Sequence, residues 1–206
     1  VSAQSLFNKL VKGTGEQLAG YGFERDEMIF RRFSPGGDVL IIEFQVSDHS
    51  SRIEKVFYIN VALVLGSKWE RDRRQRNLPE SALPRHLDGT FRHRIGFTGL
   101  SGGDQWRLTD EISAAEVSEL VRRRLDETVP QMLSLLDRNI LFGNPPEFLK
   151  SAAWLARGWV LAERGQSEEL ERLLFSESTM HEFSSVARKA IWEWAAIRNG
   201  DQERQR

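Results

Sequence analysis

Apolar and polar residues alternate along this chain in two rhythms, one helical and one of period two. Between Ser5 and Leu18, the residues Leu6, Leu10, Val11 and Leu18 fall at helical spacing, and Gly20 and Gly22 close the segment. Met28 to Phe33 and Asp38 to Val46 are β-prone runs on either side of Ser34-Pro35-Gly36-Gly37, a pattern that predicts an antiparallel hairpin. Val56 to Leu65 predicts a third strand, Thr90 to Phe97 a fourth, and Gln105 to Thr109 a short fifth beyond the glycine-rich loop Gly99 to Gly103. Lys68 to Asp88, polar and proline-containing, reads as a long connecting loop. Ser113 with Glu116 predicts a capped helix start. The stripe Val117, Leu120, Val121, Leu125, Val129, Met132 and Leu136 carries that helix onward, and Pro130 is expected to kink or break it.

Asn144-Pro145-Pro146 marks a boundary, beyond which Glu147 to Glu163, Glu168 to Leu174 and Phe183 to Arg198 read as helices. Leu155, Trp159 and Ala162 are spaced to face Phe183, Val186, Ala190 and Trp194. A lone helical hairpin of this kind cannot bury its own face, so it is expected to pack back on the preceding domain, with Asp201 to Arg206 as a frayed tail. The expected class is therefore α+β. It has an antiparallel sheet of about five strands packed against an N-terminal and a long central helix over residues 1–143, followed by a small all-helical module over residues 144–206.

Composition narrows the function classes. With 206 residues, 40% hydrophobic and 29% charged, the chain can bury a core without metals or cross-links. Its 29 Lys and Arg against 30 Asp and Glu give no global attraction to nucleic acid or to an anionic membrane. Without cysteine there are no disulfides, thiolate nucleophiles or zinc-cysteine sites, which fits a cytoplasmic protein. Val56 to Leu65, the longest apolar run, is too short to span a bilayer, and the start at Val1 rather than Met is compatible with a trimmed leader or tag.

Strand parity supplies the candidate site. Leu40, Ile42, Phe44 and Val46 point one way and Glu43 and Gln45 the other; Phe57, Ile59, Val61, Leu63 and Leu65 oppose Tyr58 and Asn60. Arg92 and Arg94 oppose Phe91, His93, Ile95 and Phe97 in the same way. If these strands are neighbours, Glu43, Gln45, Tyr58, Asn60, Arg92 and Arg94 gather on one polar face, with Trp106 expected at its edge. Such a face is either simply solvated or grips a carboxylate, phosphate or peptide backbone. Asn60 inside a run of Val, Ile and Leu is poorly suited to a strand on propensity alone, so a hydrogen-bond network or recognition must favour it.

Gly22-Phe23, Gln45 at a strand end, Tyr58-Ile59-Asn60, Arg94-Ile95-Gly96 and the following Trp106 together resemble the bacterial domain of unknown function 4304 family, over roughly Leu6 to Ile140. That family often places a basic-aromatic pair soon after the Gln, where this chain has Asp48-His49. The resemblance implies a fold and a set of recurring positions, and no agreed activity.

Other motifs are weaker. His49, His86, His93 and His181 lack close paired spacing, so no metal or other cofactor is expected. Gly99 to Gly103 lacks the Lys and the immediate helix of a phosphate loop. Lys68, Arg71, Arg73, Arg74 and Arg76 beside Trp69 could contact phosphates and stack on a base, but Glu70 and Asp72 are interleaved among them. Asp126 with Glu127 and Glu168 with Glu169 fit solvated helix faces. The leading reading is a binding or interaction module, immunity-like in one form, that uses the polar face to hold a protein or a small anionic ligand. An enzyme acting on a phosphate-bearing or peptide-like substrate is the first alternative, with Arg92 or Arg94 neutralising charge and Tyr58, His49 or Glu43 as acid or base. A nucleic-acid accessory protein using the basic run 68–76 is the second.

Overall fold

The computed structural model describes residues 1–101, 105–143, 145–146, 149–177, 179 and 184–204. The expectations placed on Gly102, Gly103, Asn144, Glu147, His181, Phe183 and the last two residues lie outside them. The chain divides into two compact units, one of residues Val1–Val64 with Pro84–Asp137, the other of Leu65–Leu83 with Arg138–Arg206.

The first unit is a mixed α+β fold. Helix α1 (Ala3–Gly20) precedes strands β1 (Glu24–Asp26), β2 (Ile29–Phe33), β3 (Val39–Val46) and β4 (Lys55–Val64). A short 3-10 turn, His86–Asp88, leads into β5 (Phe91–Gly96), β6 (Gly99–Ser101) and β7 (Trp106–Leu108), and the long helix α3 (Glu111–Ser134) closes the unit. All strand pairs are antiparallel in the order β1-β2-β3-β4-β5-β6. The long strand β4 is shared on one side: β5 pairs its Ile59 to Leu63, and β7 pairs its Lys55 to Phe57. Strands β1 and β6 are not legible in the sequence because each is three residues long and lacks alternation.

The predicted hairpin forms between β2 and β3. Pro35 presets one backbone angle and Gly37 takes a φ of 83°, so the Ser34 and Asp38 backbones meet with Ser34 N–H donating to the Asp38 carbonyl at 2.8 Å. One face of the sheet carries Phe30, Leu40, Ile42, Phe44, Phe57, Ile59, Val61 and Ile95, all buried. The helices cover this core with Leu6, Phe7, Leu10 and Val11 from α1 and Val121, Leu125, Val129 and Met132 from α3. At its centre, Phe7, Phe44 and Phe57 pack with ring centroids 5.1 to 6.3 Å apart.

Three details of α3 and its cap differ from expectation. Asp110 is the N-cap, in a reciprocal capping box with Ser113, because its carboxylate reaches the Ser113 N–H at 2.9 Å. Pro130 does not break the helix, since buried residues on both sides of it, Leu125 and Met132, hold the helix to the core. The apolar stripe then ends at Leu135, the C-cap.

In the second unit, Gly66–Gln75 forms helix α2, where a loop was expected; its mean polarity hid it. The unit continues with α4 (Arg138–Gly143), α5 (Lys150–Ala162), α6 (Glu168–Phe175) and α7 (Ser185–Arg204). Trp159 and Trp194 are buried in it, as are Ile191 and Ala195. Val186, expected on the same stripe, is instead 76% exposed, because α7 turns its 191/194/195 face inward. The helix also runs through the segment expected to fray, as far as Arg204, with Asp201 accepting from Arg74 at 3.2 Å. Gly165 is required at its bend: φ is 87°, and a Cβ there would stand 1.8 Å from the Asn199 side-chain oxygen.

Candidate functional site

Register decides which side chains share a face, since directly paired residues project to the same side. Gln45 pairs with Tyr58 and Glu43 with Asn60, and Asn60 pairs in turn with Arg94 and Ala62 with Arg92. Glu43, Gln45, Tyr58, Asn60, Arg92 and Arg94 therefore lie together on the face opposite the aromatic core. Trp106 does not join them. It pairs with Phe57, is fully buried, and donates its indole N–H to the Ile95 carbonyl at 2.9 Å. The expectation that it edges the polar face is corrected by parity: β7 pairs with the start of β4, in register with the core-facing Phe57 rather than with Tyr58.

The polar face is graded rather than uniform. Toward one end, Val39, Ile41, Ala62 and Val64 are buried. Over Ala62 runs the segment around the 3-10 turn, and Gly89 permits that approach, since a Cβ on it would sit 2.8 Å from the Ala62 Cβ. Glu43 pins this segment from below. Its buried carboxylate accepts from the Arg85 guanidinium at 2.5 Å, from the His86 backbone N–H at 3.2 Å, and contacts His86 Nδ1 at 2.8 Å. Burial pushes the Glu43 carboxyl pKa up, but hydrogen bonds from His86 and Arg85 outweigh it and bring the value down from 4.5 to about 2. Nearby, buried Arg31 donates to the Pro84 carbonyl at 2.9 Å and to Asp26 at 2.9 Å. Nothing in the spacing links Glu43 to residues 85 and 86, more than forty positions on, so these partners are invisible in the sequence.

Toward the other end the face is open. Asn60 is only 3% exposed, and its amide is occupied on both sides: Nδ2 donates to Gln45 Oε1 at 2.9 Å, and Oδ1 accepts from Arg94 Nε at 3.3 Å. Asn60 thus acts through its neighbours. The Arg94 guanidinium lies over the Tyr58 ring, 4.0 Å from its centroid, and Gln105 donates to the Tyr58 oxygen. Gln45 is exposed and Tyr58 and Arg94 are half-buried; Arg92, in register with Ala62 beside the covering segment, is exposed as well. Replacing Asn60 with Ala removes both hydrogen bonds, each worth about 0.5 to 1.5 kcal/mol, so urea denaturation should show a loss of about 1 to 3 kcal/mol. An unchanged midpoint would show that the network does not support the strand.

The remaining candidates disperse. His49 sits in the exposed loop between β3 and β4. His93 lies on the core face, in register with Val61, its ring 5.8 Å from that of Phe91. Among the described residues, no three His, Asp or Glu are grouped to hold a metal, and no helix is long and apolar enough to cross a membrane. Most of the basic run is consumed within the second unit. Lys68 pairs with Asp72 at 2.6 Å and Arg73 and Arg74 with Glu70 at 2.8 and 2.6 Å, while Arg71 and Arg76 lie over Trp159 and Trp69. A groove of about 830 Å³ runs between α1 and α3, lined in part by Lys9, Gly13, Ala114 and Arg122, and shares no residue with the polar face.

An antiparallel sheet with two helices on one face and an open polar cluster on the other defines the class of this domain. Residues 14–138 match the family described as Domain of unknown function (DUF4304), and the chain belongs to that family. Neither a curated protein nor a solved structure matches it.

Proposed function

We propose that the chain is a binding module whose polar sheet face takes an anionic group, carried by a small molecule or by a partner protein as in an immunity-like role. One observation carries this reading: Arg92 and Arg94 share a face, and neither has an acidic partner among the described residues. Their neighbours on the same face differ, since Arg31 is matched by Asp26 and Arg85 by Glu43. Two guanidinium groups without an acidic partner among the described residues, one of them stacked and oriented, form a receptor for an oxyanion.

The enzyme reading is less well supported. Glu43, the buried carboxylate of that face, is ionised and engaged by Arg85 and His86, which removes the best candidate for proton transfer near neutral pH. The nucleic-acid reading is weakened by the internal pairing of the basic run.

The test is thermal unfolding in inorganic phosphate or acetate against chloride at matched ionic strength. Binding at a hundredfold excess over Kd should stabilise the wild type by about 2.7 kcal/mol. The double variant R92A/R94A should lose that gain; an equal gain in the variant would place any anion binding elsewhere.

A further inference from the structure

We infer that the open end of the polar face is a donor-only site that accepts an oxyanion and rejects its amide isostere, with Gln45 and Tyr58 as the specificity-determining donors. This rests on the anion-binding reading above and deepens it.

The direction of the hydrogen bonds is decisive. An arginine side chain offers donors and no acceptor. Arg94 Nε donates to Asn60 Oδ1 at 3.3 Å, which forces the Asn60 amino group toward Gln45, where it donates to Oε1 at 2.9 Å. The Gln45 oxygen is thereby turned inward and its amino group outward. A second relay has the same polarity. Arg107 Nη2 donates to Gln105 Oε1 at 3.5 Å, and Gln105 Nε2 donates to the Tyr58 oxygen, which leaves the Tyr58 proton to be given away. Each relay starts at a donor-only arginine and ends in an outward donor.

The two relays end on neighbouring positions of the sheet. Gln45 and Tyr58 are register partners, so their Cβ atoms stand about 5 Å apart on the same face. Arg94, in register with Asn60 between the two relays, lies over the Tyr58 ring with its guanidinium 4.0 Å from the ring centroid. Among the described residues, neither the Gln45 amino group, the Tyr58 proton nor the Arg94 terminal nitrogens meet an acceptor. A carboxylate or phosphate presents lone pairs to all of them, whereas an amide also brings N–H groups, which meet the outward donors of both relays rather than an outward acceptor among the described residues. Sheet rigidity keeps the donors in place before any ligand arrives.

The experiment is a nuclear magnetic resonance titration of the full chain, following the side-chain N–H signals of Gln45, Arg92 and Arg94 with acetate, inorganic phosphate and acetamide in turn. Acetate or phosphate should shift them in a saturable way, the better of the two naming the oxyanion, and acetamide should leave them unmoved. Y58F, which keeps the ring beneath Arg94, and Q45L should each weaken the anion about tenfold, with thermal melts confirming their folds. If acetamide competes equally, or if both variants bind the anion as wild type does, the donor-only inference fails while the anion site stands. If neither anion shifts Arg92 or Arg94, the binding reading fails and the inference with it.

Discussion

Replacing Trp106 with Ala should destabilise the α+β unit by about 3 to 5 kcal/mol, the range for removing a large buried aromatic side chain. The side chain is fully buried, stacks on Phe57 at 6.4 Å and meets Phe97 edge-on at 4.8 Å. It also holds β7, which has only three residues and a buried-exposed-buried pattern, so Trp106 and Leu108 supply its inward anchors. W106F should cost less but not nothing, because the Ile95 carbonyl loses its indole donor. Hydrogen exchange of the β4 amides reports this unit directly. A change below about 1 kcal/mol in W106A would show that the site collapses around the cavity or that the strand is held by other means.

Period-two alternation is the most legible feature of the sequence, because each residue of a half-buried strand reports its own face. It locates four of the strands on either side of Ser34 to Gly37 and within residues 55–96, along with the polar cluster on their second face. Parity fails for Trp106 because alternation within one strand says nothing of the offset to the next, and the pairing of β7 with the start of β4 is a tertiary choice. Helix α2 is hidden for a different reason. Its charges satisfy one another at spacings of three and four, as in Glu70 with Arg73 and Arg74, so it shows little of the apolar periodicity by which helices are recognised. The Glu43 latch is out of reach altogether, since it joins a strand to a turn with no pattern shared between them.

That latch makes the stability of the first unit depend on acid. Glu43 has its pKa held at about 2 against an ordinary 4.5, so the folded state binds its proton more weakly than the unfolded chain does. A depressed carboxyl stabilises the fold fully above the unfolded value, and the contribution is lost as pH falls from about 4.5 through about 2. The difference corresponds to about 3 kcal/mol at neutral pH, at roughly 1.4 kcal/mol for each tenfold change in proton affinity. E43Q keeps the shape but cannot ionise, and its neutral oxygen is a weaker acceptor for Arg85 and His86. Urea denaturation at a series of pH values should therefore find the variant less stable by about that amount at neutral pH, with the two curves converging as the wild type is acidified. Taking the difference between them removes the other carboxylates, Glu70 among them, which titrate alike in both proteins. Parallel curves across the acid range would show that Glu43 gains nothing from its charge, and that the segment over Ala62 is held by packing alone.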